Sequence, residues 1–308
     1  MSGTELKILA LIFMTIDHIG VCIPGMPIWL RWIGRLSSPL FFFCAAEGIM
    51  HTRDKKLYLK RLWKMSILMV FIESALPALL KMTVGISPYF NNNIFASIFQ
   101  GTLIIYLLEK TKDSRSKRVK YILIYAGYQI AVMILYVLYN MAGFLDSFYL
   151  IPIISDADRF IFTALGSIIM MEGSLILTSA IVVFYFCRNN KKRLAAVYSM
   201  YCTAYFIVFV FQIPLRTVNF MYRIGIPRLL VECFRSVCSI LGMETIFPAG
   251  DLVNSLLHIN FQWMMIFALP FMLAYNGEKG RGLKRLFYIY YPVHLIVLNM
   301  IGELLKLR

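Results

Sequence analysis

Long apolar runs, interrupted by short basic clusters, constrain this chain more than any other feature. Runs near residues 6–24, 36–52, 60–81, 94–109, 119–141, 161–187, 194–216, 252–275 and 285–304 approach or exceed the helical length that crosses a bilayer. A hydrocarbon core about 30 Å thick takes about 20 helical residues. Only 15% of the chain is charged and 60% is apolar, too greasy for an ordinary soluble domain and leaving no long polar stretch to build one. The fold predicted is an all-α polytopic membrane protein with about nine transmembrane helices, within a range of 8–11. With no separable linker or internal repeat, residues 1–308 are predicted to form a single membrane domain.

The net charge of +15 sits oddly on so apolar a chain until its positions are read. Four segments, 52–62, 109–120, 188–193 and 276–285, hold 19 of the 31 Lys and Arg residues. With nine spans, all four fall on one side. Loops 25–35, 82–93, 142–160 and 217–251 fall on the other and are poorer in cations for their length. The positive-inside rule then predicts a plasma-membrane protein with a cytoplasmic N-terminus and an external C-terminus. The clusters are separate loops rather than one basic stripe interleaved with stacking aromatics, so no nucleic-acid partner is expected. Segment 228–247 is apolar but carries Arg228, Glu232, Arg235 and Glu244. A tenth span there would break the charge pattern, so an interfacial or re-entrant helix is predicted.

Asp17 and His18 interrupt the first apolar run, which argues against a cleavable signal peptide. The six Cys have metal-like spacing nowhere, and no metal ligand set is expected.

Ionisable groups inside a span cost about 2.5–3.5 kcal/mol for Asp, Lys or Arg and call for a reason. Lys7 precedes His18 by eleven positions, and eleven steps of 100° bring the side chain back to within about 20° of the same face. The pair suits an anionic donor with a long flexible arm: phosphates at the surface, reactive end at the imidazole. Acyl-CoA fits that description; an interface anchor above helix-packing polar groups fits the same spacing. In the second span Arg35 lies near the outer end, and Glu47 and His51 share a face four residues apart. Glu47 reads as a proton acceptor or the partner of a cation such as Lys7 or Arg61, and His51 as a solvated helix-end residue. Lys60, Arg61 and Lys64 read as topology charges or as additions to a cytoplasmic phosphate site. In the last span Phe287, Tyr291 and His294 form an i, i+4, i+7 stripe, which puts His294 deep enough to be a functional candidate. Glu73 and Glu172 are further intramembrane acids with no obvious partner.

Together LKILALIFMTIDHIG (6–20), RWIGRLSSPLFFFCAAEGIMHTRDKKLYLKRL (31–62), NFQW (260–263) and YNGEKGRGLKRLFYIYYPVHLIVLN (275–299) resemble the TraX family of membrane proteins, named for a conjugative-pilus protein that acetylates the pilin N-terminus. More distantly, the K-x10-H spacing and the aromatic-glycine helix end resemble transmembrane acyltransferases that use acyl-CoA. The resemblance implies transfer of an acetyl group from cytoplasmic acetyl-CoA to an amine of a peptide or protein, or to a glycan hydroxyl. It implies His18 as general base or transient acyl carrier, with Asp17 holding its tautomer or pairing with Arg35. Lys7, Arg61, Lys64 and Lys60 would receive the donor phosphates. Arg35, Glu47, His51, Tyr291 and His294 would line the reaction site, with Glu47 or His294 as a second acid–base group. The rival class is a proton-coupled secondary transporter using Asp17, Glu47, Glu73 and Glu172, disfavoured by the missing repeat. A non-catalytic assembly partner would not need the buried histidines.

Overall fold

A computed structural model describes residues 1–85, 93–141, 157–243, 245–246 and 250–306. Among them all regular structure is helical. In chain order the helices are α1 (Gly3–Cys22), α2 (Trp29–Gly34), α3 (Ser37–Met50), α4 (Lys55–Val84), α5 (Ile94–Lys110), α6 (Arg115–Met141), α7 (Ala157–Ala164), α8 (Leu175–Cys187), α9 (Lys191–Val210), α10 (Ile213–Arg223), α11 (Arg228–Ile240) and α12 (Lys284–Lys306). Between α11 and α12 lies a bent pair, Leu252–Ile259 and Phe261–Leu273, turned by 57° at Asn260.

Four described helices are long and apolar enough to cross a membrane by themselves: Lys55–Thr83, Arg115–Tyr139, Lys191–Val210 and Leu286–Lys306; the bent pair makes a fifth if it is one span. α1 has the length too, but carries Glu5, Lys7 and Asp17. Large apolar side chains such as Leu123, Ile124, Ile130 and Leu138 of α6 stand exposed, as they do on a helix whose outer face meets lipid rather than water. The protein is a multi-pass membrane protein.

Local chemistry sets the helix starts. Asp54 caps α4 by accepting from the Leu57 N–H at 2.9 Å, and Asn93 and Asn190 cap α5 and α9 in the same way. α11 covers most of the predicted interfacial segment. Its 13 residues rise only about 20 Å, it buries Val231 and Cys238 on one side, and Glu232 pairs with Arg235 at 3.2 Å. Glu244, part of the same predicted segment, lies outside the described residues, as do parts of loops 82–93 and 142–160.

Besides 252–275, bent at Asn260, two predicted spans are not continuous helices. The run 161–187 divides into α7, a single 3₁₀ turn at Ile168–Met170 and the 13-residue α8. The breaks fall at Gly166 and Gly173, both with positive φ, a region that costs glycine nothing. The run 194–216 ends at Val210, and Gln212, with φ of 51°, turns the chain into α10.

The chain forms two compact units, each discontinuous in sequence. One comprises 1–21, 25–44 and 173–282; the other comprises 22–24, 45–172 and 283–308. The first unit buries Leu6 and Ala10 of α1, Leu40 and Phe42 of α3, Phe184 of α8, and Met265 and Met272 of the bent pair. Phe43 meets Phe184 and Tyr275 edge-on, and the buried Tyr198 hydroxyl donates to the Met265 carbonyl at 2.9 Å. The second unit centres on α4 and α5, with Met69, Ile105, Phe162 and Leu295 in its core.

Within that second unit the irregular backbone at 165–172 must find partners, because unsatisfied backbone groups in an apolar medium cost several kcal/mol each. Gln100 and Gln129 both donate to the Gly166 carbonyl, the latter at 3.0 Å. Gln129 also accepts from the Ile168 N–H at 3.1 Å, and Ser97 donates to the Glu172 carbonyl at 2.6 Å. Two glutamines inside apolar helices thus serve a break 37 to 66 residues further along the chain.

Candidate active site

In the first unit the site is built along α1. Thr4, Lys7, Leu11, Met14 and His18 recur at helical spacing and define one stripe. Lys7 is half-buried and His18 is only 5% exposed. Asp17, about 100° round the helix from His18, is also buried. Arg35 Nη2 donates to both oxygens of the Asp17 carboxylate at 2.5 Å, and Arg31 Nε stands 3.4 Å from the same group. Asp17 therefore pairs with Arg35, one of the two partners its helix position allowed.

The neighbouring residues explain how two arginines reach one carboxylate. Arg31 and Arg35 are one helical turn apart at α2, and Arg35 Nε also donates to the Arg31 carbonyl at 3.2 Å. Gly34 lets α2 approach closely: a Cβ there would lie 2.2 Å from Asp17 Cβ and Oδ1. Arg35 Nη1 donates to Gln262 Oε1 at 3.1 Å, and the Phe261 ring lies under both guanidinium groups, 5.3 Å from that of Arg35 and 5.9 Å from that of Arg31. Gln262 and Phe261 follow the break at Asn260, preceded by a π turn over Ser255–Ile259. The indole N–H groups of Trp32 and Trp263 donate to the Leu257 and Leu256 carbonyls of that turn, at 2.8 and 3.2 Å. RWIGR and NFQW thus form one structure, its central hydrogen bond joining residues 227 positions apart.

The second unit holds the remaining candidates and is described separately. Glu47 and His51 stay on one face: His51 is exposed, its Nδ1 donates to the Glu47 carbonyl at 2.9 Å and lies 3.7 Å from the carboxylate. Lys60 and Lys64 are exposed on the first turns of α4, and Arg61 is half-buried there. Tyr291 is buried, and its hydroxyl donates to Glu172 Oε2 at 3.1 Å while accepting from the Ile94 N–H at 3.4 Å. Phe95 packs edge-on against Tyr291. His294 is buried, stacked on Tyr290, with Nδ1 donating to the Tyr290 carbonyl at 2.8 Å. A carbonyl only accepts, so the proton of the neutral ring sits on Nδ1 and the lone pair on Nε2.

Glu73 and Glu172 have partners after all. Glu73, 3% exposed, is paired with Arg159 of α7 at 2.5 Å, and Glu172 receives the Tyr291 phenol.

Against known proteins, the family described as TraX protein matches residues 2–302, nearly the whole chain. The chain belongs to the TraX family. A further match is to the probable fimbrial assembly protein FimC, serogroup H1, of Dichelobacter nodosus, 38% identical over 65 residues. That stretch is 20% of this chain and 27% of the length of that protein. No solved structure matches.

In this TraX chain the sequence singled out Asp17 and Arg35 correctly as possible partners. It missed Arg31, Gly34, Phe261 and Gln262 as the shell around them. The IGR and NFQW motifs carried the signal, since a glycine between two arginines in an apolar setting marks a close approach.

Proposed function

We propose that this TraX-family membrane protein is an acetyltransferase that takes its acetyl group from acetyl-CoA. The observation supporting it is a buried His18 on the stripe that Lys7 opens, next to an Asp17 whose carboxylate is neutralised by Arg35. In this reading the Arg35–Asp17 pair does no proton transfer. It fixes the rotation of α1 and so the direction in which His18 points.

His18 acts as general base. It takes the proton of an acceptor amine as the nitrogen attacks the thioester carbonyl, forming the C–N bond. The C–S bond then breaks, and the imidazolium returns its proton to the departing thiolate, which leaves as CoA. At the cytoplasmic end of the His18 stripe, Lys7 receives the donor phosphates. On the family resemblance, Glu47 or His294 is a second acid–base group. In this reading the N-terminus is cytoplasmic and the C-terminus external, with the basic segments inside.

The preferred acceptor is the N-terminal amine of a pilin-like protein. The TraX family's association with pilin acetylation and the relative named for fimbrial assembly support it; a glycan hydroxyl is second. A proton-coupled transporter is less well supported. Asp17 and Glu73 are each held by an arginine within ion-pair distance, which ties both carboxylates into the helix packing.

The test is CoA release from acetyl-CoA by purified protein given a pilin-like peptide. His18→Ala is expected to lower turnover by about 10²–10⁴-fold while donor binding persists. Undiminished turnover in that variant overturns the assignment, and solute flux in vesicles without CoA release favours the transporter.

A further inference from the structure

The basic turn that precedes α12 differs from the other three basic segments. Those at 52–62, 109–120 and 188–193 lie on helix ends and the turns joining them. Residues 275–282 form no helix, yet their backbone is tied to the first turn of α1 at several points. The Gly3 N–H donates to the Glu278 carbonyl at 2.7 Å and the Thr4 N–H to the Lys279 carbonyl at 3.1 Å. The Thr4 hydroxyl lies 2.9 Å from the Lys279 carbonyl and 2.6 Å from that of Arg281, and the Asn276 N–H donates to the Met1 carbonyl at 2.9 Å. Gly280 has φ of +73°, and a Cβ there would lie 2.6 Å from Ser2 Oγ. The turn can take this path only with glycine at that position.

Thr4 is one turn before Lys7 and lies within about 60° of the Lys7–His18 stripe. The turn therefore carries Lys279 and Arg281, both exposed, to the open end of the stripe that ends at the buried His18. Two carboxylates share the neighbourhood and are engaged by amide donors: Glu5 accepts from the Ser2 N–H at 2.9 Å, and Glu278 accepts from the Asn276 side-chain amide at 3.0 Å. Lys7, Lys279 and Arg281 outnumber them. A lysine and an arginine on a backbone held in place are pre-organised for phosphate oxygens, with the guanidinium able to grip two at once. From Thr4 to His18 is 14 residues, about 21 Å of helix, which an extended phosphopantetheine arm spans.

We infer that the turn 276–282 is the phosphate-holding edge of the donor site, with Lys279 and Arg281 gripping the nucleotide phosphates of a CoA thioester above the Lys7–His18 stripe. The inference rests on the acetyl-transfer reading and names further residues for it. It also separates these two cations from those that only set topology.

The experiment measures CoA binding to detergent-purified full-length protein by titration calorimetry, alongside acetyl-CoA turnover. The Lys279→Ala/Arg281→Ala double variant is expected to weaken CoA binding at least tenfold and to raise KM with little change in kcat. Gly280→Ala keeps every charge and displaces the turn; it too is expected to weaken binding. Lys191→Ala/Lys192→Ala, which removes the same charge from another basic segment, is expected to bind as the wild type does. Equal weakening in that control shows general charge attraction and overturns the inference. So does wild-type affinity in the Lys279/Arg281 variant; if that variant also retains turnover that His18→Ala loses, acetyl transfer stands without this site. A wild-type protein that binds no CoA removes both readings.

Discussion

Asp17 and Glu172 are both carboxylates in apolar surroundings, and the protein treats them in opposite ways. Asp17 sits on a regular helix, and both its oxygens are held by an arginine that a glutamine and a phenylalanine ring position in turn. Glu172 sits on irregular backbone between two glycine breaks and receives a phenol. A guanidinium partner holds both oxygens of a carboxylate in a fixed geometry. A phenol gives a carboxylate one neutral hydrogen bond. Asp17 thus belongs to the scaffold that joins α1 to α2, whereas Tyr291 ties Glu172 to α12.

Breaking the first member of this comparison should have the largest effect. Asp17→Ala leaves two arginines facing an apolar gap and is expected to cost about 3–5 kcal/mol, as removing one member of a buried pair does. Thermal unfolding in detergent measures it. Arg35→Gln in the same background should recover part of the loss; a double variant as unstable as the sum of the singles would show that the two residues do not communicate.

Gly34→Ala comes next. Its Cβ would overlap Asp17, and forcing extra volume into a packed site costs about 1–3 kcal/mol. Turnover should fall along with stability, because α1 and α2 are pushed apart at His18's neighbour. A fully stable and active Gly34→Ala would contradict the close approach.

Tyr291→Phe tests the second member and should matter least for stability, about 0.5–1.5 kcal/mol for one hydrogen bond. The informative readout is the pH–rate profile. If Glu172 exchanges a proton during turnover, losing the phenol shifts the profile even though the fold survives, and Glu172→Gln shifts it further. Superimposable profiles in both variants would reduce Glu172 to a structural group.

How far this was legible in the residues differs between the two units. In the first, helical spacing put Lys7 and His18 on one face and made Arg35 a candidate for Asp17, because such arguments need only 100° per residue and one buried charge in search of another. Elsewhere, hydropathy over 161–187, a run that ends in the first unit and begins in the second, suggested one helix, since an average over a window does not register two glycines that turn the chain. The compensation lies at Gln100 and Gln129, far away in sequence, and each reads alone as an unexplained polar residue. Arg159 was hidden for a related reason. It falls in what reads as a loop, whereas it sits on α7 against Glu73.

The order in which the ribosome delivers these parts has a consequence for assembly. Asp17 enters the membrane early, and its arginines follow within 18 residues, so the exposed charge is covered almost at once. The groups that complete α1 arrive much later. Gln262 orients Arg35, and the turn through Gly280 anchors Gly3 and Thr4, so at least 281 of the 308 residues must emerge before both ends of α1 are held. The polypeptide becomes insertable long before it becomes competent, and a chain cut short before Phe261 would keep the Asp17–Arg35 pair without the ring and the amide that hold Arg35 in place.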